Sequence, residues 1–230
     1  MNTPEKILAT LKKNASSKIK STQAYFGISN VNSYGLTTPQ MRTFAKQIGT
    51  NHELALQLWK TEVHEARHIA SMIADPKLVT EKMMEQWLKD FNSWDIVDGC
   101  CSSLFRKTPF AYSKAMEWTS RKKEFEKRAG FAMMAQLAVH DKKAEDKMIE
   151  QFFSPIISES GDERNFVKKA INWALRQIGK RNERLCVKAI DAAKKIHAKD
   201  DAISKWIAAD ALRELEKYLK EGKIRKVVMK

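Results

Sequence analysis

Residues 160–180, SGDERNFVKKAINWALRQIGK, carry the pattern that decides the fold. At about 100° per residue, the apolar side chains of this stretch fall on one face of a helix. They are Val167, Ala170, Ile171, Ala174 and Ile178. A serine three residues before a glutamate, Ser160 and Glu163, predicts a capping box at the start. The stretch therefore predicts an amphipathic α-helix over residues 163–181.

The prolines extend this expectation to the whole chain. Each follows a residue with a side-chain oxygen, in the pairs Thr3-Pro4, Thr38-Pro39, Asp75-Pro76, Thr108-Pro109 and Ser154-Pro155. An oxygen-bearing cap followed by proline in the first helical position is typical of a helix start. The prolines lie 33 to 46 residues apart, which is about one helix pair of a HEAT or armadillo repeat.

No sustained alternation of apolar and polar residues and no Asn-Gly hairpin turn predicts a strand. The sequence therefore predicts an all-α fold of about ten to twelve helices in antiparallel pairs. We expect one domain over residues 1–219 and a basic, frayed tail over residues 220–230. The longest polar loop is expected over residues 27–37.

The charge balance points to a polyanionic partner. Lys and Arg number 42 against 28 Asp and Glu, a net charge of +14. Nucleic acid is the first candidate and an anionic membrane surface the second, while a solvated basic surface without a specific partner is the alternative.

We expect no membrane span and no signal peptide. Three cysteines, Cys100, Cys101 and Cys186, make a poor disulfide framework, which favours reduced thiols and a cytoplasmic location.

A basic stripe borders the apolar face of the 163–181 helix. Lys169, Arg176 and Lys180 align at helical spacing, with Trp173 between the stripe and the core face. Cations and an aromatic face at one place suit a nucleic-acid groove. The alternative is a peripheral core tryptophan beside solvated charges.

Two further segments carry candidate functional residues. In residues 93–105, a core face of Ile96, Val97, Cys100 and Leu104 leaves Trp94 and Asp98 together on one shoulder, at i and i+4. Residues 125–139 are apolar nearly all round from Ala129 onward, which predicts a buried helix. Arg128 stands at the entrance of that helix and needs an anionic partner, either a protein carboxylate or a phosphate.

Residues 64–68, His-Glu-Ala-Arg-His, match the H-E-x-x-H pattern of zinc peptidases. A catalytic zinc site also needs a third protein ligand and a cleft, and no H-x-x-G-x-x-H continuation follows. We therefore interpret His64 and His68 as surface or interhelix histidines of a repeat helix. The apolar face of that helix is expected to comprise Val63, Ala66, Ile69, Ala70 and Ile73.

Three strings together resemble the AlkD-like family of DNA alkylation repair enzymes. They are SWDIVD (93–98), KRAGF (127–131) and NFVKKAINWALRQIGK (165–180). The resemblance runs from about Tyr25 to Leu215. It implies a right-handed superhelix of paired HEAT-like helices whose basic concave face cradles duplex DNA.

The resemblance also implies an activity: hydrolytic release of positively charged N3- and N7-alkylated purines from double-stranded DNA, without a deep base-flipping pocket. The functional residues would be Trp94, Asp98, Arg128 and Trp173, with Asp98 stabilising the oxocarbenium-like sugar. The basic stripe would contact DNA. No metal or organic cofactor is implied, and we expect a monomer. Some relatives lack these residues and bind DNA without catalysis, so a non-catalytic binder of damaged or branched DNA is the alternative, and a HEAT-type protein scaffold a further one.

Overall fold

The computed structural model describes residues 3–28 and 31–224, and all regular structure in these ranges is helical. Two compact units, Met1–Pro109 and Phe110–Lys230, divide the chain. The prediction of a single domain over residues 1–219 stays a prediction. Most of the predicted basic tail, residues 225–230, lies outside the described residues.

The first unit is built around one central helix. Its α-helices are α1 (Pro4–Lys13), α2 (Ser17–Tyr25), α3 (Thr38–Ile48), α4 (His52–Lys60), α5 (His64–Ile73), α6 (Glu81–Lys89) and α7 (Trp94–Ser103). Helix α5 packs against α3, α4 and α7. The predicted apolar face of α5 is confirmed, because Val63, Ala66, Ile69, Ala70 and Ile73 are all buried.

The second unit is built around two long helices. Its α-helices are α8 (Ala111–Trp118), α9 (Glu124–His140), α10 (Asp146–Glu150), α11 (Phe153–Ser158), α12 (Asn165–Gly179), α13 (Glu183–His197) and α14 (Ala202–Lys220). Helix α9 packs against α8 and α12, and α12 packs also against α13 and α14. Every residue from 129 to 138 is buried, which confirms the prediction of a buried helix there.

The described helices are more numerous than expected because short segments such as α10 and α11 carry too few residues for a periodic signal. The predicted polar loop is confirmed in part: α2 ends at Tyr25 and α3 begins at Thr38. Residues 29–30 of that loop lie outside the described residues.

The prolines mark helix starts less regularly than their pattern indicates. Thr3 caps α1 ahead of Pro4, as predicted. Pro39 lies in the first turn of α3, but the cap is Thr37, whose capping box uses Gln40. Pro76 begins a 3-10 helix, Pro76–Leu78, capped by Asp75.

The remaining predicted caps are wrong. Pro109 precedes α8 by two residues, and the Thr108 hydroxyl donates to the Phe105 carbonyl instead of capping a helix. Pro155 is the third residue of α11, whose first residue is Phe153. Ser160 forms no capping box for α12, because its hydroxyl bonds the Ile157 carbonyl and Ser204. A capping oxygen depends on local backbone geometry, which residue types alone do not determine.

Gly130 allows α8 and α9 to approach closely. A Cβ there would lie 2.7 Å from the Thr119 backbone nitrogen and 3.0 Å from the Ala115 carbonyl oxygen. Backbone atoms cannot move aside as a flexible side chain can, so Gly130→Ala is expected to lower the free energy of unfolding by about 1–3 kcal/mol. Urea unfolding measures the change. Gly161→Ala is the control, because its Cβ would meet nothing nearer than 3.8 Å; equal stability of the two variants would contradict the prediction.

Candidate functional site

Helix α7 carries the first pair of candidate residues. Trp94 is its first residue and Asp98 lies one turn later, and both are partly exposed. The indole nitrogen of Trp94 donates a hydrogen bond of 3.1 Å to the Phe26 carbonyl. This bond occupies the only donor of the indole.

The opposite face of α7 packs into the core as predicted, with Ile96, Val97, Cys100 and Leu104 buried. Burial raises the pKa of the Cys100 thiol well above its ordinary value and that of Cys186 to about 11. Both thiols are therefore protonated at neutral pH and are small core residues rather than nucleophiles.

Arg128 lies near the start of α9 and is buried, with 6% of its surface exposed. Its Nη1 donates a hydrogen bond of 2.6 Å to the Phe166 carbonyl. The neighbouring Lys127 Nζ bridges Glu159 Oε2 at 2.5 Å and Asp162 Oδ2 at 2.9 Å. These contacts link α9 to the start of α12 and to the segment that precedes it. A contact of Arg128 with phosphate stays a prediction.

Helix α12 carries the second tryptophan. Its predicted core face is confirmed, because Val167, Ala170, Ile171, Ala174 and Ile178 are all buried. Trp173 is partly exposed and Lys169 is exposed. The two residues are four apart and therefore lie on the same side of the helix, which places a cation beside an aromatic ring.

The rest of the basic stripe faces carboxylates. Arg176 Nη1 bonds Glu214 Oε2 of α14, and Arg176 Nε lies 3.5 Å from Asp210 Oδ2. Lys180 Nζ lies 2.8 Å from Glu214 Oε1. Burial raises the pKa of the Glu214 carboxyl, but hydrogen bonds from the two cations outweigh it and lower the pKa. Two of the three predicted DNA-contacting cations are therefore partly neutralised within the protein.

Removing this neutralisation should strengthen DNA binding if Arg176 and Lys180 reach phosphate. Glu214→Gln is expected to raise affinity for duplex DNA about 3- to 10-fold at low salt. It should also steepen the dependence of log K on log salt by about 1–2, since about one counterion is released per phosphate contact. Fluorescence anisotropy across a salt series measures both quantities.

Glu216→Gln is the matched control, because Glu216 is exposed on the same helix and the charge change is the same. If Glu214→Gln and Glu216→Gln shift the affinity equally, the effect is one of net charge alone, and Arg176 and Lys180 are structural.

The H-E-x-x-H segment is not arranged as in a zinc peptidase. Glu65 is fully buried, and its carboxylate accepts bonds of 2.8 Å from Ser33 Oγ and Gly35 N, 3.0 Å from Tyr34 N and 3.2 Å from Leu36 N. Glu65 therefore holds the loop ahead of α3, and its oxygens already accept these bonds, so it does not act as a general base.

The two histidines of the segment face a carboxylate of α7. His64 and His68 are 4% and 5% exposed, so the surface alternative is wrong and the interhelix one is confirmed. Both Nε2 atoms contact Asp95 Oδ2, at 2.9 and 3.0 Å. Burial raises the pKa of the Asp95 carboxyl, but the two rings outweigh burial and hold the pKa far below its usual range. Asp95 was not among the predicted site residues.

The candidate residues thus fall in two pairs. Trp94 and Asp98 lie together on α7 in the first unit, while Arg128 and Trp173 lie on the packed helices α9 and α12 in the second. The partners of Arg176 and Lys180 could have been suspected from the spacing of Asp210 and Glu214, which are four apart on one helix face. Nothing in the sequence indicates which neighbouring helix that face meets.

Comparison with solved structures identifies the class of fold. A protein described as one of "a new family of proteins related to the HEAT-like repeat DNA glycosylases with affinity for branched DNA structures" has a similar structure, with a TM-score of 0.82. The likeness covers 99% of each chain at 21% sequence identity. The chain therefore has the HEAT-like repeat fold, and the all-α, HEAT-like prediction is confirmed.

Comparison with protein families then gives the particular family. The family described as DNA alkylation repair enzyme matches residues 7–215, and the chain belongs to this family. The match begins nearer the N-terminus than the resemblance seen in the sequence. Comparison with curated proteins finds no match. Within the described part of the chain, no helix combines the length and apolarity needed to cross a membrane.

Proposed function

We propose that this chain is a monofunctional DNA glycosylase that hydrolyses the N-glycosidic bond of N3- and N7-alkylated purines in double-stranded DNA. Membership of the DNA alkylation repair family supports a repair role. The observation that carries the catalytic part is on α7: Asp98 and Trp94 lie one turn apart, and both are partly exposed.

The chemistry that we assign to Asp98 follows from the substrate. Alkylation at N3 or N7 gives the purine a positive charge and makes it a good leaving group. As its bond to C1′ breaks, positive charge develops on the sugar, and a nearby carboxylate stabilises that charge. Asp98 also orients the water that adds to C1′, so the products are the free base and an abasic site. No lysine is assigned as a Schiff-base nucleophile.

The other residues are assigned to contacts with DNA. Trp94, whose indole N–H is occupied by Phe26, presents its electron-rich face to the cationic lesion nucleotide. Trp173 on α12 is assigned to contact DNA through its own aromatic face, and the exposed Lys169 beside it to bind phosphate. Arg128 is assigned to a DNA phosphate, because the planar guanidinium carries five donors in a fork that suits phosphate oxygens.

With these residue roles, the ease with which a base leaves determines which lesions are substrates. Contacts to sugar, phosphate and charge do not require the base to enter a deep pocket, so bulky N-alkyl adducts are substrates. Neutral lesions such as uracil are not, since they leave poorly without protonation. The proposed reaction needs no metal and no organic cofactor.

Release of bases from methylated duplex DNA tests the proposal. The products are separated from the DNA and identified by mass spectrometry. We expect 7-methylguanine or 3-methyladenine to appear faster with the protein than without it. A rate equal to that of spontaneous depurination would overturn the enzymatic part.

A second candidate is a non-catalytic binder of branched DNA. It is favoured by the similar solved structure, which is described as belonging to a family with affinity for branched DNA structures. Affinities for a four-way junction and for a linear duplex of the same sequence separate the two functions. Preferential junction binding without base release would support the binder; base release from linear duplex would support the glycosylase.

A further inference from the structure

Two histidines and one aspartate lie together where α5 meets α7. His64 and His68 project from successive turns of α5, and Asp95 is the second residue of α7. The Nε2 atoms of both rings contact the same oxygen, Asp95 Oδ2, at 2.9 and 3.0 Å. All three donor atoms lie within 4.8 Å of one another. Both histidines are buried and Asp95 is largely so.

We propose that His64, His68 and Asp95 bind a divalent transition-metal ion of the Zn²⁺ class, which joins α5 to the first turn of α7. Two imidazole nitrogens and one carboxylate oxygen are a donor set that Zn²⁺ and Fe²⁺ accept in proteins. The site is independent of the proposed glycosylase function and assigns no step of that reaction to the ion.

The spacing of the donors fits an ion at their centre. In tetrahedral geometry, bonds of about 2.0–2.1 Å place neighbouring ligand atoms about 3.3–3.4 Å apart. The two histidine-to-aspartate distances, 2.9 and 3.0 Å, are a few tenths of an ångström shorter than that spacing. To bind the ion, the three side chains rotate slightly apart.

The surroundings orient the ligands. Ser93 Oγ donates a bond of 2.5 Å to Asp95 Oδ1, which fixes the carboxylate so that Oδ2 faces the histidines. Outer hydrogen bonds of this kind are a regular feature of metal sites.

Gly99 makes room for one of the rings. A Cβ at that position would lie 2.9 Å from His68 Nδ1. Glycine lowers helix stability inside α7, so its presence at this point fits a requirement for space around the ring.

The residues around the site provide a route by which an ion can enter and limit the chemistry that the ion can support. A cavity of about 320 Å³ lined by His64, Arg67, Asp90 and Ile96 reaches the first of the three ligands, His64, and gives an ion an approach from that side. Glu65 is engaged with the backbone of residues 34–36, so the ion lacks the general base of a zinc peptidase. We therefore assign it a structural role, as a cross-link between α5 and α7.

Metal binding to the full chain tests this proposal. The tag-free protein is stripped with a chelator and titrated with Zn²⁺ by calorimetry, and with Co²⁺ by visible absorption, which reports imidazole coordination. We expect one ion per chain. At a free Zn²⁺ concentration about 100-fold above Kd, the melting temperature should rise by about 5 °C or more.

Variants locate the site. His68→Gln should weaken binding at least about 100-fold, since even loss of an outer hydrogen bond costs 10- to 100-fold. His197→Gln is the matched control, because His197 is exposed at the end of α13. Gly99→Ala keeps all three ligands and should weaken binding by crowding His68, so it replaces His68→Gln if that variant fails to fold.

Three results would overturn the proposal: no binding to the wild type, equal binding by wild type and His68→Gln, or equal losses in His68→Gln and His197→Gln. The first would leave a purely hydrogen-bonded cluster. Because base release plays no part in these measurements, failure of the metal site and failure of the glycosylase proposal are distinguishable.

Discussion

Replacing Asp98 with asparagine is expected to slow base release about 10²- to 10³-fold while leaving affinity for duplex DNA within a few fold of wild type. Asparagine keeps the shape of the side chain but removes the negative charge, and loss of one electrostatic contact to a developing transition-state charge has effects of this size. Because the lost interaction forms mainly in the transition state, ground-state binding changes little.

Single-turnover release of 7-methylguanine measures the first quantity and anisotropy the second. Asp191→Asn is the matched control, because Asp191 is exposed on α13 and the change in charge is the same. An Asp98→Asn variant as active as Asp191→Asn would contradict the assignment of Asp98. Parallel losses of affinity and rate would instead make Asp98 a binding residue.

Glu65→Gln is expected to lower the free energy of unfolding of the chain by about 3–5 kcal/mol. The Glu65 carboxylate accepts bonds from the amides of Tyr34, Gly35 and Leu36 and from the Ser33 hydroxyl. Glutamine has one side-chain acceptor oxygen where glutamate has two, and its NH2 group would face the N–H and O–H donors of residues 33–36. Buried N–H groups would therefore lose their acceptor. Urea unfolding followed by circular dichroism measures the loss.

Glu62→Gln is the control for Glu65, because the Glu62 side chain is 76% exposed and its Oε1 lies 4.0 Å from Arg67 Nη2. Such exposed pairs contribute little, so Glu62→Gln should leave stability nearly unchanged. A Glu65 variant as stable as this control would show that the loop ahead of α3 does not depend on the buried carboxylate.

The pH dependence of Glu65 has a defined sign. Burial raises the pKa of this carboxyl, but hydrogen bonds from Tyr34, Ser33 and Leu36 outweigh burial and lower the pKa below its ordinary value of 4.5. A lowered pKa contributes stability that is complete above the unfolded-state pKa and is lost as the pH falls through the folded-state pKa. The difference in stability between wild type and Glu65→Gln should therefore be constant near neutrality and shrink below about pH 4.5.

The sequence predicted the fold best in those helices where apolar residues recur at helical spacing over many positions. The core faces of α7 and α12 and the buried helix α9 follow from apolar spacing, because burial of one face is what stabilises such helices. The cap at Thr37 in place of Thr38 and the missing cap at Ser160 show the opposite case. A hydroxyl serves as a cap only when the backbone before it is extended at the right point, and that depends on tertiary packing.

The candidate site was predictable within a helix and not between helices. Spacing alone places Trp94 beside Asp98 and Lys169 beside Trp173. Spacing does not reveal that Arg176 and Lys180 meet Glu214 of α14, nor that Asp95 of α7 meets both histidines of α5. These contacts join residues 27 to 38 positions apart, and only the packing of the helices determines them.

The most direct test of the glycosylase proposal is a single-turnover measurement with wild-type protein in excess over a duplex oligonucleotide that contains one 7-methylguanine. The same duplex with guanine, and the methylated duplex without protein, are the controls. We predict first-order release of free 7-methylguanine, well above spontaneous depurination, and no release from the guanine duplex. Release at the spontaneous rate, from a duplex that is demonstrably bound, would contradict the proposal.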